Sequence, residues 1–236
     1  MKQEKASLKG TSPVSAGLVI GMFIRLISGF VLMGVLLFSC AGTVNYVGGW
    51  LFIVSLGVPM AVFGIVLLIR EPDTLKRRMA GREPDKRQAL YVTEMGLLFI
   101  VLFGMAGFDH RWGWSKMPIY VSVAALVIAL LGYGIYVAVI LQNSYAARIV
   151  AVYKEQKIIT DGLYGMVRHP MYLAYLLILL AMPLILGSWI SLVPVLLIPF
   201  LLARRIKNEE ALLVRELKGY DEYVKTVRYR MVPYIW

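Results

Sequence analysis

The sequence predicts an all-α, polytopic membrane protein. About six transmembrane helices are expected, the last two forming a short helical hairpin that leads into a cytoplasmic C-terminal amphipathic helix. Hydrophobic residues make up 59% of the 236 residues, and the mean hydropathy is +0.72. A soluble domain of this size cannot bury so much apolar surface. Apolar runs also recur at the length that a helix needs to cross a bilayer, about 20 residues.

Four of these runs are long enough to span the bilayer as single helices: 16–41, 50–69, 91–108 and 119–142. A fifth apolar region, 171–203, is too long for one ordinary span. Because Pro183 and Gly187-Ser188 interrupt it, we interpret it as a hairpin of two helices of about 15 residues, each barely reaching across. The chain then divides into four N-terminal transmembrane helices (1–142) and a C-terminal region (143–236) that contains a loop, the hairpin and an interfacial tail.

Basic residues are distributed by membrane side, because cytoplasmic loops collect Lys and Arg. They are frequent in 1–15, 70–90, 143–168 and 204–236, and rare or missing in 42–49, 109–117 and the hairpin tip. This pattern predicts an integral protein of the inner or plasma membrane with both termini in the cytoplasm. Membrane lipids are the expected partners, and the net charge of +11 needs no nucleic acid to explain it. The oligomeric state is left open.

The N-terminal part of the sequence contains few side chains suited to catalysis or to metal binding. Cys40 is the single cysteine and lies in an apolar run, and the two histidines, His110 and His169, are far apart in sequence. No disulfide within the chain and no bound metal are therefore expected. Arg25 and Glu94 lie near the cytoplasmic ends of their spans, and we interpret both as structural residues that snorkel or pair.

Two polar clusters flank the hairpin and are predicted to form one site. The first is Arg168-His169-Pro170-Met171-Tyr172, and the second contains Arg204, Arg205, Glu209 and Glu210. Polar side chains next to a membrane segment cost free energy and usually have a function. Pro170 suits the first turn of a helix, whose N-terminus attracts anions, and Arg168 adds a positive charge there. For any one residue, snorkelling, an interfacial position or a surface salt bridge is the simpler explanation.

Three motifs resemble those of the isoprenylcysteine carboxyl methyltransferase family of integral membrane enzymes. They are Gly162-Leu163-Tyr164-Gly165-Met166-Val167 with the first cluster, the double glutamate Glu209-Glu210, and Gly219-Tyr220-Asp221-Glu222-Tyr223 ahead of Pro233. The resemblance implies that 143–236 is a catalytic region that uses S-adenosylmethionine as the methyl donor. It also implies that the donor enters from the cytosol and that a lipophilic acceptor arrives from the bilayer.

The resemblance further implies which residues bind the donor, and Arg168 is added to them for its charge at the helix start. The set is Gln156, Lys157, Ile158, Ile159, Tyr164, Arg168, His169, Pro170, Met171, Tyr172 and Glu210. An acceptor carboxylate is already a nucleophile at neutral pH and needs only orientation, which we assign to Arg205 in preference to Arg204. An amine or a thiol must lose a proton, for which Glu209 or Glu210 is the candidate base.

The leading hypothesis is therefore a methyltransferase dependent on S-adenosylmethionine, acting on a lipophilic acceptor at the cytoplasmic face, with a carboxylate favoured. A phospholipid amine N-methyltransferase is an alternative, because Gly132-Tyr133-Gly134 resembles a short motif of those enzymes. A membrane reductase using NADPH is another, because sterol reductases resemble the same C-terminal region. A small transporter or a non-catalytic membrane scaffold is the third.

Overall fold

A computed structural model describes residues 15–79, 86–146 and 156–236, and within these ranges the regular structure is entirely helical. The basic residues at 1–14, 80–85 and 147–155 lie outside the described residues. The helices, in chain order, are α1 (Ala16–Ala41), α2 (Val47–Arg70), α3 (Pro72–Met79), α4 (Lys86–Trp112), α5 (Ile119–Gln142), α6 (Gly162–Met166), α7 (Pro170–Ile185), α8 (Leu192–Val195), α9 (Ile198–Glu216) and α10 (Tyr220–Thr226).

Four helices in the described ranges are long and apolar enough to cross a membrane: α1, α2, α4 from Gln88 onwards, and α5. The bounds of α1 and α5 are those predicted from the apolar runs, whereas α2 and α4 are longer. Gly48 and Gly49 were expected in a loop but are helical, and Gly48 lies where α2 meets the turn after α7. A Cβ atom at Gly48 would lie 2.7 Å from the Leu186 carbonyl oxygen, so this contact requires glycine.

The predicted hairpin is present, but its bend is more sharply located than expected. α7 begins at Pro170, as predicted, and continues through Pro183 to Ile185. The chain turns at Gly187, whose φ of 79° favours glycine. The expectation that Pro183 also breaks the helix is therefore wrong: α7 continues for two residues past it, and the chain turns only where Gly187 adopts a positive φ. The return arm consists of α8 and α9.

α9 differs from the short second helix that was expected. It continues without a break from the hairpin to Glu216, so the segment predicted as a separate tail helix is its direct extension. Ile206, Glu210 and Leu213 are buried along one face of this extension. Gly219 follows with a φ of 87° and, as predicted, ends this part of the tail before α10. The hairpin thus carries its polar cluster outward on a rigid helix.

The connections between helices gather at two ends of the bundle, as the charge pattern predicted. At one end, the Tyr46 hydroxyl donates a hydrogen bond to the Leu186 carbonyl (2.6 Å), and Ser188 donates to Asp109. At the other end lie α3, the end of α5, the 156–169 segment and the extension of α9. Only Met22, Gly34, Leu37 and Ala41 of α1 are buried, and many of its large apolar side chains are exposed, as expected for a helix surrounded by lipid.

Candidate functional site

A pocket lies between the end of α5, the start of α7 and the extension of α9. Because five tyrosines line it, we term it the tyrosine pocket: Tyr145, Tyr164, Tyr172, Tyr220 and Tyr223. Its other lining residues are Asn143, Ala146, Gln156, Lys157, Ile158, Ile159, Arg168, His169, Pro170, Met171, Glu209, Leu213 and Leu217. The space between these residues is about 760 Å³ when the open solvent at its mouth is included.

The C-terminal segment is held directly against the start of α7. The backbone N–H of Arg168 donates to the Tyr229 carbonyl (3.0 Å), and that of His169 donates to the Arg230 carbonyl (2.7 Å). The Arg168 side chain is buried, and its Nη1 donates to the Val227 carbonyl (2.6 Å). These bonds fix α10 and the chain end beside the pocket, where Tyr220 and Tyr223 reach its wall.

A buried carboxylate completes this attachment. Glu210 accepts hydrogen bonds from Arg168 Nε (2.6 Å) and Arg230 Nε (2.7 Å), and His169 Nε2 lies 3.3 Å away. We term these four residues the Glu210 cluster. Burial acts to raise the pKa of Glu210, but the hydrogen bonds from His169, Arg230 and Arg168 outweigh it and lower the pKa from 4.5 to about 2. Glu210 is therefore ionised at neutral pH, and two arginine side chains pair with it.

The neighbouring glutamate faces the pocket instead. The Tyr172 hydroxyl donates to Glu209 Oε2 (2.6 Å) and accepts from Arg205 Nε (2.8 Å). Arg205 is buried, donates to Gln88 Oε1 (3.1 Å), and lies over the Tyr91 ring with 4.7 Å between the guanidinium carbon and the ring centroid. Arg205 thus orders Tyr172 from behind the pocket wall.

Arg204 points elsewhere and forms an ion pair with Glu94. The prediction that Glu94 has a structural role fits this pairing. Arg25, the other charged residue singled out within a span, donates a hydrogen bond to the Met79 carbonyl. It therefore joins α1 to the end of α3.

Tyr220 supplies a separate indication that the pocket holds a ligand. Its hydroxyl is buried and has no hydrogen-bond partner among the residues that the structure describes, whereas Tyr223 donates to the Tyr164 carbonyl (2.7 Å). An unsatisfied buried hydroxyl costs about 1–3 kcal/mol, and such groups are rare in folded proteins. Burial raises the Tyr220 pKa, with Glu210 and Glu209 adding to the effect, so the group is a neutral hydroxyl able to donate to a bound molecule.

A second space lies inside the bundle between α2, α4, α5 and α7, and we term it the apolar cavity. Its walls are mostly Leu, Met and Phe, with Tyr91, Tyr133, Tyr136, Tyr175 and Arg78 at one end. The space is about 1480 Å³ including its opening. Met60 and Val92 line it and are also exposed on the outside of the bundle. The cavity is therefore open sideways, where lipid chains would lie.

The comparisons with known proteins agree with this architecture. Residues 114–215 match the model of the isoprenylcysteine carboxyl methyltransferase (ICMT) family. The matched residues run from the turn before α5 to near the end of α9, so this part of the chain is similar to that family. Its fold resembles a solved structure described as the eukaryotic intramembrane Ras methyltransferase ICMT, with a TM-score of 0.50 and 17% identity over 95% of this chain and 88% of that one. No curated protein sequence matches the chain.

Every residue predicted to bind the donor lines the tyrosine pocket except Glu210, which lies behind its wall. A direct contact between Glu210 and the donor stays a prediction, as do the roles of Arg205 and Glu209. Within the described ranges no group of three His, Cys, Asp or Glu residues is placed to hold a metal ion. The absence of a metal is likewise a prediction.

Several pocket residues were missed by the sequence prediction. Leu213 and Leu217 follow Glu209 at intervals of four, so helical spacing was a usable signal for them. Tyr220 and Tyr223 belonged to a recognised motif but had not been assigned to the site. Asn143, Tyr145 and Ala146 follow α5 in a turn, and no pattern in the sequence indicated them.

Proposed function

We propose that this ICMT-like enzyme transfers the methyl group of S-adenosylmethionine to the carboxylate of a lipophilic, isoprenylcysteine-like acceptor. The observation that carries the proposal is that a polar pocket and an apolar cavity adjoin across one layer of aromatic residues. Tyr172 lines the tyrosine pocket, Tyr175 lines the apolar cavity, and their ring centroids are 6.1 Å apart. A polar donor and a lipid acceptor thus have separate compartments with a short path between them.

The tyrosine pocket suits the donor's charges. A sulfonium gains about 0.5–2 kcal/mol from each aromatic face that it meets, and five tyrosines surround the space. Glu209 adds a carboxylate for the donor's ammonium group, and Lys157 with the start of α7 attracts its carboxylate. The Tyr220 hydroxyl donates to one of the donor's remaining acceptor atoms, which would satisfy it.

The transfer requires alignment and the exclusion of water more than acid–base catalysis. A carboxylate oxygen of the acceptor attacks the methyl carbon, the S–CH₃ bond breaks, and its electron pair remains on sulfur. The products are a neutral methyl ester and a neutral thioether, and no proton moves. Because opposite charges are lost in this step, a dry site favours it over bulk water. Arg205 then serves by holding Tyr172 in place, and Glu209 needs no role as a base.

We place this chemistry at the cytoplasmic face of the inner or plasma membrane. The proposed topology has six spans, with α7 and the α8–α9 arm as the last two and both termini cytoplasmic. The extension of α9 and α10 lie as an amphipathic layer at the membrane surface. At one end of the bundle, α3 is bonded to the turn after α5, and the 156–169 segment is bonded to α5 and to the α9 extension, which supports this arrangement.

The proposal is tested with purified protein in detergent. Calorimetry is expected to detect binding of S-adenosylmethionine and not of NADPH. Tritium from the labelled methyl donor should enter S-farnesylcysteine and be released by mild alkali, because carboxyl methyl esters hydrolyse and N-methyl groups do not. Alkali-stable label in phosphatidylethanolamine would identify an N-methyltransferase, and binding of NADPH alone would identify a reductase.

A further inference from the structure

Arg78 occupies the junction between the two compartments. It lies in the last turn of α3, and it is the one charged residue among the described residues that line the apolar cavity. Its Nη2 donates to the Tyr136 hydroxyl, and its guanidinium carbon lies 5.1 Å from the Tyr136 ring centroid. Its Nη1 donates to the carbonyl of Ala146, a residue of the tyrosine pocket. The guanidinium therefore bridges the walls of both spaces.

The charge of Arg78 is not neutralised within the described part of the chain. Arg168, Arg204 and Arg230 each pair with a glutamate, whereas Arg78 contacts only a hydroxyl, a carbonyl and a ring. A half-buried guanidinium beside an apolar space gains more from an anionic partner than from neutral ones. A carboxylate also matches the planar fork of its donors.

We propose that Arg78 binds the carboxylate of the acceptor while the acceptor's apolar chain fills the cavity. The inference rests on the proposed function and assigns a specificity residue to it. Arg205, favoured from the sequence, lines neither space and is engaged by Tyr172, Gln88 and Tyr91. Arg205 is thus a positioning residue. Arg78 lies outside residues 114–215, so this feature belongs to the N-terminal half of the chain.

The position of Arg78 relative to the membrane also suits an amphiphilic acceptor, which has an anionic head and an apolar chain. Leu75, one helical turn earlier, is buried against the core, and Lys76 is exposed at the same end of the bundle. An anionic head held at Arg78 lies at the polar boundary with its chain directed between α2 and α4. This geometry places the head beside the tyrosine pocket and orients the carboxylate toward the donor.

The test compares Arg78→Gln with the unmodified enzyme, using S-farnesylcysteine and its carboxamide. The variant is expected to bind the carboxylate at least about tenfold more weakly by calorimetry and to show a matching rise in KM. Affinity for the carboxamide and for S-adenosylmethionine should be unchanged. Arg78→Lys should recover part of the loss because it keeps the charge, and Lys76→Gln should have no effect because that charge is exposed.

The outcomes separate this inference from the proposed function. An equal loss of carboxylate and carboxamide binding would show that Arg78 only shapes the cavity, and an unchanged carboxylate affinity would also overturn the proposal. Selective weakening by Arg205→Gln instead would return the role to Arg205. Since binding is measured without turnover, the inference is tested even if no methyl group is transferred. If Arg78→Gln does not fold, as judged by its melting temperature, the test uses Arg78→Lys instead. Its affinities for S-farnesylcysteine and for the carboxamide are then compared with those of the unmodified enzyme.

Discussion

The tyrosine pocket and the apolar cavity are built on opposite principles. The pocket draws its walls mainly from the C-terminal region, and many of its polar groups are hydrogen-bonded to one another. The cavity draws its walls mainly from the N-terminal helices. Of the residues that the structure describes, Arg78 is the one charged residue that lines it. One site is adapted to a ligand rich in charges and hydrogen bonds, and the other to a ligand that offers mostly carbon.

The difference indicates where specificity can vary. A donor with many polar atoms requires several groups in fixed positions, and the Glu210 cluster supplies that rigidity. An apolar chain requires only volume and a boundary, which many combinations of Leu, Met and Phe provide. We therefore expect donor binding and acceptor binding to respond to different substitutions.

The largest effect is expected from Glu210→Ala. Removing it leaves Arg168 and Arg230 without their carboxylate, and breaking a buried ion pair in this way costs about 3–5 kcal/mol. Both the melting temperature and the affinity for S-adenosylmethionine should fall. Glu216→Ala is the control, since Glu216 forms an exposed pair with Arg215 on the same helix and its loss should matter little. Weaker donor binding at an unchanged melting temperature would mean that Glu210 contacts the donor, as the sequence suggested.

The next largest effect is expected when a larger side chain fills part of the apolar cavity. Gly96 lines the apolar cavity, and a Cβ atom added there meets open space, so Gly96→Leu should fold normally and occupy part of the acceptor's volume. The KM for S-farnesylcysteine should rise about tenfold, equivalent to about 1.4 kcal/mol, with donor affinity unchanged. Gly29→Leu adds the same side chain to the outer side of α1 and should leave both values unaffected. A change in donor affinity would show that the compartments are not independent.

A smaller effect is expected from Tyr220→Phe. The lost hydroxyl has no partner in the described ranges 15–79, 86–146 and 156–236, so stability without ligand should be unchanged or higher. Affinity for S-adenosylmethionine should fall about fivefold, the loss of one hydrogen bond worth about 1 kcal/mol. Tyr223→Phe provides the contrast, because it breaks the bond to the Tyr164 carbonyl and should lower the melting temperature. Equal stability losses in both variants would argue against a ligand-directed hydroxyl at Tyr220.

The smallest effect is expected in the pH dependence of the melting temperature. The pKa of Glu210 is lowered from 4.5 to about 2 in the folded protein, so the unfolded chain takes up its proton first as the solution is acidified. The contribution of Glu210 to stability is complete above pH 4.5 and is lost as the pH falls toward about 2. Between neutral pH and pH about 3, the melting temperature should fall further for the unmodified protein than for Glu210→Gln. Parallel decreases would show that other carboxylates control acid unfolding.

Most residues that the sequence predicted to bind the donor line one pocket, because they lie close together in the chain. Gln156–Ile159 and Arg168–Tyr172 surround one turn and one helix start, so their neighbourhood follows from local structure. On the acceptor side the sequence pointed to Arg205 and gave no indication of Arg78. Arg78 and Ala146 are 68 residues apart, and no local pattern relates a residue at the end of α3 to the turn after α5.

By itself the sequence determined the membrane helices and the identity of the polar groups beside the hairpin. It did so because a bilayer tolerates few charges and requires long apolar runs, and both requirements are visible in composition and order. The tertiary structure decided which of two adjacent glutamates faces the pocket. Successive helical residues point about 100° apart, and only the packing of the C-terminal segment against Arg168 turns Glu210 toward the protein and leaves Glu209 facing the pocket.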